Sequence, residues 1–174
     1  MKKILSLLVA VMMVSCVAAS LAEVIQLDSP IIGYDMIITL PEGVESTIDS
    51  SADSTWIRFT YGPNYNLTIA RSDLFEGKGI ADLSQEERDI LAGMLCDHAA
   101  APKYSEITLE NDLVVMLVEE ETEANDFASM QTIFNGYFIT LYVANENYAK
   151  LSVDDAENMV EIMQSIVFSP AEAE

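Results

Sequence analysis

Apolar and polar positions alternate along most of this chain, and such alternation predicts β-strands. It is clearest at 34–40, where Tyr34 and every second residue after it are large and apolar. Pro41-Glu42-Gly43 then ends the segment with residues typical of turns. Similar alternation, or a run of β-branched and aromatic residues, predicts further strands at 55–61, 65–70, 104–109, 113–119, 127–134 and 137–144.

Short turn sequences separate these strands and predict hairpins. Gly62-Pro63-Asn64 lies between the first pair, and Glu110-Asn111-Asp112 lies between the second. Asn135-Gly136 separates the third pair, and it is the residue pair most typical of a hairpin whose two turn residues both need positive φ. Strands joined by such short turns pair antiparallel.

Two serines followed three residues later by an acid predict the starts of two helices. Ser84 with Glu87 predicts a helix to about His98, with the apolar stripe Ile90, Leu91, Met94 and Leu95. Ser152 with Asp155 predicts a second helix, with the stripe Ala156, Met159, Val160, Met163 and Ile166 or Val167. The polar segments 48–54, 72–82 and 120–126 are predicted to be loops, and 169–174 is predicted to be a flexible acidic tail.

The strand composition predicts how these elements are arranged. The segments 113–118 and 137–143 are apolar on both faces, so a central sheet needs cover on each side. We therefore expect an α+β domain with a mainly antiparallel sheet of about six to seven strands and helices packed on its faces, an α/β/α sandwich.

The N-terminus has the order of a secretory signal. Lys2 and Lys3 precede an apolar stretch at 4–14, which is shorter than the roughly 20 residues that span a bilayer. Ser20-Leu21-Ala22 predicts cleavage before Glu23, which leaves a single domain at 23–168 and a secreted or cell-envelope location. Alternatively, Met13-Val14-Ser15-Cys16 resembles a bacterial lipoprotein signal, and Cys16 would then carry a lipid anchor.

Composition narrows the classes of partner. The formal net charge is −21, and loss of Lys2 and Lys3 with the signal makes it −23. Such a surface is unsuited to nucleic acid or anionic membranes, whose phosphates are bound mainly by Lys and Arg. Cys96 is the only cysteine after residue 22, so no intramolecular disulfide is expected.

Three groups of residues are candidate functional sites. Cys96-Asp97-His98 holds a thiol and an imidazole, but residues two apart on a helix point about 200° away from each other, so a structural role is favoured. The acidic cluster could offer oxygen ligands to a cation, but its spacing fits no calcium loop and a solvated loop is favoured: Glu119, Glu120, Glu121, Glu123 and Asp126. Aromatic residues could line a ligand groove, although sheet packing is favoured: Trp56, Tyr61, Tyr65, Tyr137 and Tyr142.

The order of the elements and three short sequences carry a family resemblance. They are Leu40-Pro41-Glu42-Gly43 at the first strand end, the hairpin 134–141, and Met163-Gln164-Ser165-Ile166-Val167-Phe168 at the last helix end. The chain resembles the PsbP/Mog1/DcrB-like superfamily, as a small exported bacterial member. The resemblance covers about 30–168 and implies that superfamily's fold, without any functional residue to transfer.

These observations predict an exported, non-enzymatic protein that binds an unknown protein partner or is accessory to a cell-surface assembly. The alternative is a small-molecule or cation-binding carrier. No catalytic, cofactor-binding or metal-binding residue is assigned, no cofactor is expected, and no membrane span is expected after signal removal. The oligomeric state is left open. An enzyme would need an acidic residue with a shifted pKa in a closed pocket.

Overall fold

A computed structural model describes residues 21–75, 77–94, 103–121, 126–145 and 151–171. The described strands are β1 (Leu21–Ile31), β2 (Tyr34–Pro41), β3 (Ser46–Ser50), β4 (Ser54–Thr60), β5 (Asn64–Arg71), β6 (Lys103–Thr108), β7 (Val114–Glu121), β8 (Asp126–Phe134), β9 (Tyr137–Ala144) and β10 (Val167–Pro170). The helices are α1 (Gln85–Gly93) and α2 (Val153–Gln164), and 3-10 turns occupy Asp73–Phe75 and Ile80–Asp82. Neither α1 nor α2 is long and apolar enough to cross a membrane.

The described strands form two antiparallel sheets. The large sheet has seven strands in the order β3-β4-β5-β9-β8-β7-β6, and the small sheet has three in the order β1-β2-β10. All pairs in both sheets are antiparallel. The prediction of an α+β chain built on an antiparallel sheet is therefore confirmed. The small sheet was not predicted.

The predicted hairpins are present. Asn135 and Gly136 have φ of 48° and 77°, the positive values that the Asn-Gly turn requires, and Phe134 pairs with Tyr137 across it. In the β6–β7 turn, the Asn111 amide donates from Nδ2 to the carbonyls of Met163 (2.9 Å) and Ile166 (3.2 Å). This turn therefore satisfies backbone acceptors at the end of α2.

Both helices begin at the predicted capping boxes. The Ser84 hydroxyl accepts from the Glu87 backbone N–H (3.3 Å), and the Glu87 carboxylate accepts from the Ser84 N–H (2.8 Å). At α2, the Ser152 hydroxyl accepts from the Asp155 N–H (3.2 Å), and the Asp155 carboxylate accepts from the Ser152 N–H (2.7 Å). Each exchange satisfies two backbone donors that a helix start would otherwise leave free.

The buried stripes were predicted less well for α1 than for α2. In α1, Leu91 and Ala92 are buried, whereas Ile90 and Met94 are more than half exposed, so the predicted stripe is wrong at these two positions. Leu95 and His98 lie outside the described residues. In α2 the buried set includes the predicted Met159, Val160, Met163 and Ile166, while Val167 is exposed.

Three segments differ from the prediction. Residues 46–50, part of which was predicted to be a loop, form the edge strand β3, and its mainly exposed side chains carry no apolar pattern. Residues 21–31 form β1, although no strand was predicted there. Ser169 and Pro170 pair with Asp35 and Tyr34 in β10, so the predicted tail begins as a strand, and 172–174 lie outside the described residues.

Two apolar clusters lie on opposite faces of the large sheet. Val115 and Leu117 belong to one cluster, and Met116 and Val118 belong to the other, because alternate residues of a strand point to opposite faces. We call the face of Val115 the first face and that of Met116 the second face. The first-face cluster also contains residues of the small sheet and α2: Met36, Ile38, Leu40, Met159, Ile162 and Met163. The second-face cluster contains Ile80, Leu83, Leu91, Ala92, Phe127 and Ile133.

Candidate functional site

An open groove of about 580 Å³ lies at strands β3, β4, β5 and β9. Strand register explains how its central residues meet. Arg58 of β4 is opposite Thr47 of β3 and Asn66 of β5, and Asn66 is opposite Tyr142 of β9. Directly opposite residues share a face of the sheet, and Tyr142 packs against the second-face cluster. The full lining is Glu45, Thr47, Arg58, Phe59, Thr60, Asn64, Tyr65, Asn66 and Tyr142.

A second row of polar side chains borders this one. Thr60 pairs with Asn64, and its hydroxyl donates to the Asn64 side-chain oxygen (2.9 Å). Glu45 also lines the groove and directly precedes Ser46, the first residue of β3, which pairs with Phe59. The groove lining therefore contains both a guanidinium and a carboxylate.

Neither charge in the groove is paired. The salt bridges among the described residues join Arg71 to Asp73, Lys78 to Glu87 and Arg88 to Glu106, and Arg58 and Glu45 take part in none of them. Both side chains are exposed. With 29 acidic residues against 8 basic ones, a guanidinium without a carboxylate partner is unexpected in this chain.

One residue of the groove lining has a buried polar atom. The side-chain oxygen Oδ1 of Asn66 is buried without a hydrogen-bond partner, which costs free energy unless another group supplies one. Gln131 Oε1 and Thr140 Oγ1 are in the same condition. Gln131 and Thr140 pair across β8 and β9, and Thr140 is opposite Thr68, two residues from Asn66. The three atoms thus belong to side chains on one face of the large sheet.

Two further aromatic residues of the lining, Phe59 and Tyr65, are held from within the fold. The rings of Tyr65 and Phe59 stack with centroids 4.9 Å apart, and the Tyr65 hydroxyl donates to the Asp155 carbonyl oxygen (3.4 Å). Burial raises the pKa of Tyr65, and the nearby Asp155 carboxylate raises it further. Tyr65 therefore stays protonated and ties the groove to the start of α2.

Shifted pKa values also occur outside the groove lining. Burial raises the pKa of Glu161 on α2, and the neighbouring Glu157 adds to the effect. Hydrogen bonds from Lys78 and from the Ser84 backbone lower the pKa of Glu87 to about 2. The lowered pKa of Glu87 results from its hydrogen bond with Lys78 and from its part in the capping box at the start of α1. Glu161 also has a side-chain oxygen that is buried without a hydrogen-bond partner.

The structure describes only some of the predicted site residues. Cys96, Asp97, His98 and Glu123 lie outside the described residues. The strands β7 and β8 extend into the predicted acidic loop, to Glu121 and from Asp126, and residues 122–125 lie outside the described residues. Among the described residues, no group of three or more His, Cys, Asp and Glu is arranged to hold a metal ion.

The predicted aromatic groove is found only in part. Tyr65 and Tyr142 line the groove, although Tyr65 is also buried in the first-face cluster. Trp56, Tyr61 and Tyr137 are outside the lining. The sequence reasoning did not single out Arg58. A cation at a polar position of an alternating strand was the available signal for Arg58.

Comparisons with known proteins give this groove no assigned role. No protein-family model matches the chain. A search of curated proteins finds no significant match. The function proposed for the chain therefore rests on the geometry of the groove.

Proposed function

We propose that this chain is an exported, non-enzymatic binding protein that engages an extracytoplasmic partner through the groove around Arg58, as an accessory to a cell-surface assembly. The observation that carries the proposal is an unpaired guanidinium in an open groove of a very acidic protein. Arginine binds carboxylates through a planar fork of donors, so an acidic group on the partner fits there. The lining contains no cysteine, histidine, serine or lysine, which supports a binding role.

The position of β3 favours a partner as large as a protein. Among the described strands, β3 forms one edge of the large sheet and pairs only with β4, so the groove opens beside an edge that a second chain can approach. An extended segment of a partner can hydrogen-bond to such an edge while a side chain reaches the groove.

Site-specific photocrosslinking in the native envelope tests this proposal. A photoreactive amino acid at Thr47 reports on the groove, and the same amino acid at Ile48 is the matched control, because Ile48 points to the opposite face of the same strand. We expect one discrete adduct from position 47, none from 48, and loss of the adduct in Arg58→Glu. Equal adducts from both positions, or an adduct that survives Arg58→Glu, would contradict the proposal.

A small-molecule carrier that uses the same groove is the second candidate. A volume of about 580 Å³ lies within the roughly 300–1,000 Å³ of small-molecule sites, and Tyr142 offers an aromatic surface. A ligand that binds only the native state raises the unfolding temperature, so a thermal-shift screen separates a carrier from a protein-binding module. Cation binding by the cluster from Glu119 to Asp126 stays a prediction, and calorimetry with millimolar calcium tests it.

The export proposal has its own test. Mass spectrometry of the mature N-terminus should find Glu23 as the first residue and no lipid. A diacylglyceryl Cys16 would instead show an envelope anchor, and an intact Met1 would contradict export.

We also propose that the layers form an α/β/α sandwich like that of the PsbP/Mog1/DcrB-like superfamily. Support comes from the membership of α2 in the first-face cluster and of α1 in the second-face cluster. An experimental structure with both helices on one face of the large sheet would contradict this arrangement.

A further inference from the structure

We propose that the groove recognises a small zwitterion, namely an amino acid or a short peptide, through its carboxylate and its ammonium group. This inference rests on the second candidate function, a small-molecule carrier that uses the same groove, and names the chemistry of its ligand. It follows from the two unpaired charges of the groove, the buried amide oxygen between them and Tyr142, and the charge of the whole chain.

Arg58 supplies the end that receives the carboxylate. It lies in the centre of the groove row, with Thr47 and Asn66 directly opposite it on the neighbouring strands. No described carboxylate is paired with its guanidinium, so a ligand carboxylate displaces no protein partner. The two parallel N–H donors of an arginine fix the orientation of the carboxylate as well as its position.

Glu45 supplies the end that receives the ammonium. It lines the groove two residues before Thr47, which is directly opposite Arg58. Long side chains at such diagonal positions reach the same space, so one small ligand can contact both. Because Glu45 and Arg58 form no salt bridge with each other, one ligand with both charges can neutralise both.

The charge of the whole chain selects between ligands with the same carboxylate. A formal net charge of −21 repels a simple carboxylate, since the summed field of a protein acts on any approaching ion. A zwitterion carries no net charge, and its ammonium end is attracted by the same field. A simple amine lacks the group that Arg58 binds. The groove in this protein therefore favours a ligand with both charges.

Asn66 completes the site. Its side-chain oxygen is buried without a partner, and the residue lines the groove between Arg58 and Tyr142. A turn of the Asn66 side chain toward the groove would let an N–H or O–H of the bound ligand satisfy this oxygen, as native proteins rarely leave a buried polar atom unpaired. The Tyr142 ring then provides an apolar surface for the ligand's carbon skeleton.

Calorimetry on the full mature protein tests the inference with the standard free amino acids and their glycyl dipeptides. The tightest binder is then compared with its deaminated and decarboxylated analogues, which for leucine are 4-methylpentanoate and isoamylamine. We expect each analogue to bind about tenfold more weakly, the loss of one charge-assisted contact. The free amino acids and the dipeptides distinguish the two sources of zwitterion.

Four variants locate the binding. Arg58→Gln should weaken the zwitterion about tenfold, and Glu45→Gln should remove the preference over the deaminated analogue. Both side chains are exposed, so both variants should fold. Arg71→Gln and Glu110→Gln make the same charge changes outside the groove lining and should change affinity less than about twofold.

The possible results separate this inference from the proposed function. Equal affinity for the deaminated analogue, or no effect of Arg58→Gln, overturns the zwitterion site. If no compound binds while Thr47 still yields its Arg58-dependent adduct, the zwitterion inference fails and the proposed function stands. If neither binding nor the adduct is found, both fail.

Discussion

The two faces of the large sheet are built from the same strands but differ in what they carry. On the first face, β4, β5 and β9 contribute only apolar core residues near their centres, such as Ile57, Leu67 and Leu141. On the second face, the same three strands contribute Arg58, Asn66 and Thr140. Burial accounts for the residue types of the first face, whereas a guanidinium and unpartnered amide and hydroxyl oxygens are not required by packing. The second face of β4, β5 and β9 is therefore the part of the sheet least occupied by core packing and most available for binding.

Truncation of a core residue should show the largest difference between the faces. Leu67→Ala removes a side chain with no exposed surface on the first face and should cost about 2–5 kcal/mol in the free energy of unfolding. Its matched control is Thr68→Ala, the half-buried neighbour on the second face, which should cost less than about 1 kcal/mol. Urea denaturation measures both. Equal losses would mean that the second face contributes as much to stability at this strand.

The two capping boxes give the next largest difference. Ser152→Ala and Ser84→Ala each remove a cap, which typically costs about 1 kcal/mol. We expect the larger loss from Ser152→Ala, because its partner Asp155 is buried and α2 belongs to the first-face cluster, whereas Glu87, the partner of Ser84, is only half-buried. Thermal unfolding followed by circular dichroism compares them. A larger loss from Ser84→Ala would reverse this ranking.

Two buried threonines, one on each face of the large sheet, should differ in the effect of removing the hydroxyl. Thr132 of β8 donates its hydroxyl to the Val114 carbonyl (2.8 Å), so Thr132→Val should cost about 1 kcal/mol. Thr140 on the second face has no partner for its hydroxyl, so Thr140→Val should be neutral or should stabilise by up to about 1 kcal/mol. Urea denaturation of both variants measures this. A loss from Thr140→Val equal to that from Thr132→Val would show that a bound water or ligand pairs with the hydroxyl.

The smallest expected effect depends on pH. The pKa of Glu161 is raised in the folded state, so stability is lost as pH rises from the unfolded pKa, about 4.3, through the folded pKa. Glu161→Gln should therefore raise the unfolding temperature at pH 7 by about 1–2 °C and should give no gain below pH 4. Glu110→Gln, at an exposed turn position, is the control and should change little at either pH. A gain that persists at low pH would point to packing as its cause.

Features governed by a few neighbouring residues were predictable. Asn135-Gly136 forms its turn, and Ser84 and Ser152 cap their helices, because these arrangements depend on backbone groups within three residues of each other. The exposed strand β3 was missed, since a strand without a buried face has no alternation to detect. Ile90 was placed in the buried stripe, although the exposed side of α1 is decided by the elements it packs against.

The groove could be predicted only in fragments. Tyr65 and Tyr142 were candidates because aromatic residues are frequent in ligand sites. Arg58 and Asn66 could be assigned to the groove only once strand register placed them beside each other and beside Tyr142. The sequence carries no local signal for that row, because β5 and β9 are distant in the chain and adjacent only in the sheet.

The alternation of the strands, their hairpin turns, the starts of both helices and the acidic character of the chain follow from the sequence alone. Tertiary structure alone decided that β5 pairs with β9, that β1, β2 and β10 form a separate sheet, and that Thr47, Arg58, Asn66 and Tyr142 share one row. The physical reason is the range of the forces. Turns and caps are settled by nearby hydrogen bonds, whereas the pairing of distant strands is chosen by the apolar surface that the whole chain buries.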